Sequence, residues 1–175
     1  MYVRNFSPGV DVPWQRFFHT EDKTAVEAEC KKAGMTCEWT QGGETLRVGQ
    51  VCRAVAQHPV TGEKTFFNQV QLHHVYCLDP AVRESLLSIF SREDLPRDVY
   101  FGDGSIIEDS VMEHVGGVYE QNAVRFQWQP GDMVTLDNML IAHARDPFVG
   151  ERKILVALGD MITLEQLDAV NAERQ

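Results

Sequence analysis

At 175 residues, with 43% hydrophobic and 24% charged side chains, the chain has the size and composition of one globular domain with a substantial core. Its formal net charge of −10 at pH 7 argues against nonspecific nucleic-acid binding, because a phosphate backbone requires a basic protein face. No apolar run approaches the roughly 20 residues that cross a bilayer, and residues 1–10 lack an apolar signal core. We therefore expect a cytoplasmic protein that binds neither membranes nor nucleic acid.

The first half of the chain predicts a helix followed by antiparallel sheet. Residues 1–20 combine prolines, a glycine and aromatic side chains, which is typical of a connecting segment. Residues 24–32 predict a helix that Thr20 or Asp22 caps and that Gly34 ends. Short turns then separate predicted strands at residues 36–40, 45–57 and 64–70.

The cysteines of this half form no CxxC pair and no dense framework. They are Cys30, Cys37, Cys52 and Cys77. This spacing favours reduced structural thiols over disulfides or a zinc site.

The second half predicts helices and then an apolar hairpin. Residues 81–91 and 108–122 have helical patterns, residues 95–104 between them are irregular, and a short polar helix follows from Thr163. The hairpin strands are predicted at residues 133–136, 139–142 and 153–158.

The predicted hairpin carries a histidine and an arginine that suit a functional site. His143 follows the second apolar run, and Arg152 lies nine positions later, just before the third run. The end of a rigid strand can hold a ligand firmly while leaving it accessible.

Several motifs together resemble a known protein family. They are Trp14-Gln15, HPVTGE at 58–63, FNQ at 67–69, YFGDG at 100–104, and the stretch from 131 to 152. In this order they resemble the TauD/TfdA family of Fe(II)- and 2-oxoglutarate-dependent dioxygenases, in the branch related to the syringomycin-biosynthesis hydroxylase.

The resemblance implies an α+β, mainly β fold. The expected architecture is a partial double-stranded β-helix, or jelly roll, with flanking helices. Residues 1–175 would form a single domain that matches the C-terminal portion of a TauD/TfdA-like domain. Half of such a fold leaves strand edges and an apolar face uncovered, so we expect a homo-oligomer or a separate N-terminal half that completes it.

The resemblance also assigns roles to individual residues. The family holds iron with two histidines and one carboxylate. His143 matches the distal histidine, and Arg152 matches the arginine that pairs with the far carboxylate of 2-oxoglutarate. Arg145 remains an alternative to Arg152, because the spacing from the histidine is shorter than in taurine dioxygenase.

The remaining iron ligands of the family form a His-x-Asp or His-x-Glu triplet. This chain contains one such triplet, His19-Thr20-Glu21. Because a helix is predicted directly after it, a helix-cap region is favoured over an iron site at this position.

The other histidines are assigned more ordinary roles. His58 begins a turn and is interpreted as structural, and His114 lies on a predicted helix. His73 and His74 follow a predicted strand, whose successive side chains point to opposite faces, so only one of the two could face a pocket, and a role as metal ligand is not favoured.

Two hypotheses of different class follow. The first is an Fe(II)/2-oxoglutarate-dependent hydroxylase that acts on an amino acid or similar small aliphatic substrate, either free or tethered to a carrier protein. The second is a non-catalytic β-rich module, derived from the same fold, for binding or self-association.

Overall fold

The computed structural model describes residues 1–7 and 9–172, which fall into two compact units. Unit 1 comprises Met1–Cys52 and Gln69–Phe126, and unit 2 comprises Arg53–Asn68 and the described part of Gln127–Gln175. The single-domain organisation of the whole chain stays a prediction.

Among the described residues, six strands form two sheets, each within one unit. The strands are β1 (Tyr2–Phe6), β2 (Thr36–Thr40), β3 (Thr45–Gln50), β4 (Ala56–Gln57), β5 (Lys64–Thr65) and β6 (Arg97–Val99). Unit 1 contains an antiparallel four-stranded sheet in the order β2-β3-β1-β6, and unit 2 contains the antiparallel pair β4-β5.

The central position of β1 corrects the expectation that residues 1–20 only connect other elements. Tyr2 pairs with Gln50 of β3 on one side and with Val99 of β6 on the other. Both partners lie far along the chain, so local composition could not reveal them. The irregular stretch predicted at 95–104 likewise contains β6.

The helices agree better with prediction than the strands do. They are α1 (Trp14–Phe18), α2 (Lys23–Lys32), α3 (Val70–His73), α4 (Pro80–Ile89), α5 (Asp109–Gln121) and α6 (Leu164–Ala172), with 3₁₀ turns at Gln41–Gly43, Val75–Cys77 and Arg92–Asp94. Asp22 is the N-cap of α2, because its carboxylate accepts a 2.9 Å hydrogen bond from the Thr24 N–H. Gly34 ends the helix region with φ +68°.

The core of unit 1 lies between its sheet and the first two helices. Its buried members are Phe6, Trp14, Phe18, Val26, Cys30, Leu46 and Val48. Trp14 of α1 packs edge-on against Trp39 of β2, with ring centroids 5.0 Å apart. The four cysteines are free thiols, and burial raises the pKa of Cys30 to about 11.

Two predicted strands are shorter in the structure than the sequence predicted. The strand predicted at 45–57 ends at Gln50 and resumes only as β4, and the strand predicted at 64–70 is limited to β5. Helix α6 buries Leu167 and also makes ionic and polar contacts within unit 2. Its Asp168 carboxylate accepts two hydrogen bonds from Arg53, and its Asn171 side chain donates to the Gln57 carbonyl at 3.1 Å.

The strands predicted at 133–136, 139–142 and 153–158 are wrong for the described structure. Residues 127–162, called the extended segment below, contain neither helix nor strand. A strand needs a neighbouring strand for its N–H and C=O groups, and no described strand pairs with this segment.

The α+β class is confirmed, but among the described residues helices hold more of the regular structure than strands do. The jelly roll itself is not seen in the described residues and stays a prediction.

Candidate functional site

His143 lies in the extended segment, two residues after a hydrogen-bonded turn. The carbonyl of Asp137 accepts hydrogen bonds from Leu140 N–H at 3.1 Å and from Ile141 N–H at 3.0 Å. The turn therefore ends two residues before His143, whose side chain is exposed. His143 is reachable from solvent, but a turn holds it rather than the predicted strand end.

The two candidate arginines share one aromatic neighbour. The guanidinium carbons of Arg145 and Arg152 each lie 5.0 Å from the centroid of the Phe148 ring. The two guanidinium carbons are therefore no farther apart than twice this distance. Cation–π contacts keep both arginines over a half-exposed ring, an arrangement that can receive a carboxylate.

A second hydrogen-bond system in unit 2 joins two of the motifs. Nε2 of His58, in the HPVTGE turn, lies 3.0 Å from Oδ2 of Asp137. His58 is buried with 5% of its side chain exposed, whereas 47% of the Asp137 side chain is exposed. The pKa of Asp137 lies below its usual range, mainly because its carboxylate accepts a hydrogen bond from the Met139 N–H. The hydrogen bond with His58 lowers this pKa further. The sequence indicated a turn at His58 but not this partner.

The His19-Thr20-Glu21 triplet occupies a helix junction, as the helix-cap interpretation predicted. His19 ends α1 in the left-handed conformation with φ 53°, and its backbone N–H donates to the Gln15 carbonyl. Thr20 accepts a hydrogen bond from the backbone of Asp22, the α2 cap. His19 and Glu21 are both exposed, and no contact between their side chains is described.

The remaining histidines do not combine into a site. His74 is fully buried in unit 1, where Nδ1 accepts from the Tyr76 N–H at 3.1 Å and Nε2 lies 2.8 Å from Arg92. Both ring nitrogens are thus engaged by protein groups. His73 ends α3 instead of lying on a strand and packs edge-on against Tyr2, and His114 is exposed on α5.

The described residues do not fit a complete iron site. Among them, no three His, Cys, Asp or Glu side chains cluster in a way that could hold a metal ion. The extended segment offers such a site the accessible His143 and an arginine pair within ten residues.

Phe148 is the residue of this site that the sequence reading missed. It lies between the two candidate arginines in the chain, and an Arg-x2-Phe-x3-Arg spacing was the available signal.

No helix of the described structure is both long and apolar enough to cross a membrane.

Two comparisons identify relatives of this chain. Residues 2–158 match the family model described as taurine catabolism dioxygenase TauD, TfdA family. The chain is 38% identical to the dapdiamide synthesis protein DdaC of Enterobacter agglomerans over 173 residues, which cover 99% of this chain and 52% of that protein.

A clavaminate synthase-like protein of Arabidopsis thaliana is 28% identical over 145 residues, which cover 83% of this chain and 41% of that protein. The chain thus spans about half the length of the curated relatives that it matches. Because the family model matches most of the 175 residues, the chain belongs to the TauD/TfdA family of dioxygenases.

Proposed function

We propose that this chain forms part of an Fe(II)- and 2-oxoglutarate-dependent dioxygenase site, with His143 as one iron ligand. Family membership across residues 2–158 carries the proposal. The exposure of His143 and its position next to the arginine pair support it. The other ligands would come from sequence outside these residues, because the described ones do not complete the set.

Arg152 is proposed to bind the far carboxylate of 2-oxoglutarate. A planar guanidinium donates two parallel hydrogen bonds to a carboxylate, and the Phe148 ring limits where that guanidinium can move. Arg145 lies at the same distance from the ring, so its positive charge favours an anion at the same place. We assign Arg152 the direct contact and Arg145 a supporting charge.

The proposed reaction is the hydroxylation of an aliphatic carbon with O2 as the oxidant: one oxygen atom would enter the substrate C–H bond, and the other would enter the succinate formed when 2-oxoglutarate loses CO2. Bound Fe(II) would supply the site at which O2 is activated. The proposed substrate is an amino acid or similar small molecule in the cytoplasm, either free or tethered to a carrier protein. The relation to a dapdiamide synthesis protein supports a substrate of biosynthetic origin.

An anaerobic titration with Fe(II) and 2-oxoglutarate tests the site through its weak visible charge-transfer band, and it is made on this chain together with the sequence proposed to supply the other ligands. We expect His143→Ala to abolish the band, whereas His114→Ala, which removes an exposed histidine of α5, leaves it unchanged. If the wild type shows no band, or if His143→Ala leaves the band unchanged, His143 is not an iron ligand.

The arginine assignment is tested by the 2-oxoglutarate affinity measured in the same titration. Arg152→Ala should weaken the affinity by at least about tenfold, because a bidentate charge-assisted pair is lost. Arg145→Ala should weaken it less. The reverse order would transfer the carboxylate contact to Arg145.

One observation favours a second function, in which the chain associates with itself. Leu155, Val156 and Leu158 of the extended segment are 78–85% exposed although they form an apolar run. Such a run is a template for pairing with another chain. Sedimentation should show a dimer or larger species at micromolar concentration, and a clean monomer would reject this function.

A further inference from the structure

We propose that His58 is a positioning residue that holds, through Asp137, the turn from which His143 extends. This proposal rests on the function proposed above for His143. It gives the HPVTGE motif a task that the sequence alone does not reveal. The contacts that carry it all lie within unit 2.

The loop around His58 fixes the tautomer of its ring. Nδ1 accepts hydrogen bonds from the backbone N–H groups of Val60 at 3.3 Å and Thr61 at 3.0 Å. A nitrogen that accepts from two N–H donors carries no proton, so the neutral ring carries its proton on Nε2. His58 therefore donates to Asp137 and cannot accept from it.

The same loop also fixes the position of the ring. The His58 N–H donates to the Glu63 carbonyl at 2.8 Å, and the Gly62 N–H donates to the His58 carbonyl at 2.9 Å. Gly62 adopts φ +77°, a conformation that a residue with a side chain rarely takes. The imidazole is consequently a buried donor on a closed loop between β4 and β5.

Asp137 connects the His58 ring to the turn before His143. One carboxylate oxygen accepts from His58, while the other accepts from the Met139 N–H at 3.0 Å. The carbonyl of Asp137 closes the turn to Ile141. One residue thus links a buried fixed ring to the backbone that leads into the proposed iron ligand, in a segment that has no regular secondary structure.

Substitutions of His58 can separate support of the loop from the bond to Asp137. In His58→Asn the amide oxygen replaces the acceptor Nδ1, but no donor reaches Asp137. In His58→Gln a terminal amide N–H2 can replace the donor Nε2. A residue that only stabilised the fold would show no preference for Gln, whereas a positioning residue should be rescued by Gln and not by Asn.

The first measurement uses the protein without metal. Amide hydrogen exchange at Met139 and Leu140 should accelerate several-fold in His58→Asn and return toward wild-type rates in His58→Gln. A long-range ¹H–¹⁵N correlation should show the Nε2-protonated tautomer of His58. Unchanged exchange in His58→Asn, or the opposite tautomer, would overturn the proposal whether or not iron binds.

The second measurement is the anaerobic titration with Fe(II) and 2-oxoglutarate. His58→Asn should weaken Fe(II) binding by at least tenfold at an unchanged unfolding midpoint, and Asp137→Ala should add little on that background, because both changes break the same link. Equal affinities of wild type and His58→Asn would overturn the proposal. A wild type that binds no Fe(II) while the exchange result holds would instead reject the function assigned to His143.

Discussion

Unit 1 and the extended segment of unit 2 use apolar side chains in opposite ways. In unit 1, Leu46 of β3 is 0% exposed and Phe6 of β1 is 2% exposed. In the extended segment, Leu155 is 85% exposed and Val149 is fully exposed. Both regions contain short apolar runs that predict strands, yet only the runs of unit 1 form them.

The difference lies in hydrogen-bonding partners and not in composition. Strand β3 is paired on both sides, with β2 and with β1. Its side chains therefore meet a helix-covered sheet face, whereas the extended segment is paired with no described strand. An apolar run becomes a buried strand only where a second element covers it.

The most direct test of this difference in burial is to truncate one leucine in each region. Leu46→Ala should lower the free energy of unfolding by about 3–5 kcal/mol, because it opens a cavity in a packed core. The matched change Leu155→Ala should alter it by no more than about 0.5 kcal/mol, since the side chain is exposed. Urea unfolding followed by circular dichroism measures both. A comparable loss from Leu155→Ala would show that the extended segment is packed.

The same difference in burial can be tested for charged groups, because each unit contains an Arg–Asp pair. In unit 1, buried Asp98 accepts from Arg92 at 2.8 Å and from the Val99 N–H at 2.9 Å. Asp98→Ala should destabilise the protein by about 2–3 kcal/mol, because several donors lose a buried acceptor while Arg92 remains partly hydrated.

The control is the exposed pair between Arg53 and Asp168 in unit 2. Asp168→Ala should shift the urea midpoint far less, because water and salt already screen that pair. The same urea series measures both variants, and equal shifts would contradict the ranking.

The smallest expected effect is a pH dependence confined to unit 1. Burial, followed by the Arg92 charge, lowers the pKa of His74 below its ordinary 6.5, although Asp98 and Asp109 oppose this shift. The unfolded chain therefore binds more protons than the folded one as pH falls below 6.5. Stability should be fully present above 6.5 and decline as pH falls through the folded pKa.

The urea midpoint at about pH 5 and about pH 7.5 measures this dependence. His74→Gln should reduce the difference between the two midpoints. His73→Gln should reduce it further, because burial and the charges of Arg97 and Arg4 also lower the pKa of His73. Asp11 and Asp137, whose pKa values are lowered from 3.8, lose their charge below this range. An unaltered difference in both variants would show that these histidines do not titrate on unfolding.

Local chemistry was enough to predict the four longer helices, α2, α4, α5 and α6, but not the short helices α1 and α3. The Asp22 cap, the Gly34 stop and the Asp79-Pro80 start of α4 lie within a few residues of the helices they bound. Helical hydrogen bonds close over four residues, so such signals are contained in the sequence around them.

The candidate site was predictable only in part, and through resemblance. His143 and Arg152 stood out because they fall within a motif pattern of the family, which the family match over residues 2–158 supports. Their roles remain proposals. The role of Phe148 under both arginines and the bond from His58 to Asp137 are contacts between side chains, and a linear pattern does not specify contacts of this kind.

By itself, then, the sequence determined the helices α2, α4, α5 and α6, the strand β2, the start of β3, and the family. The tertiary structure alone decided that β1 lies at the centre of a sheet, because its partners are β3 and the distant β6. It also decided that the apolar runs between 133 and 158 form no strand and stay largely exposed. The physical reason is the same in both cases: a strand is stabilised by its neighbours, and their presence depends on the whole chain.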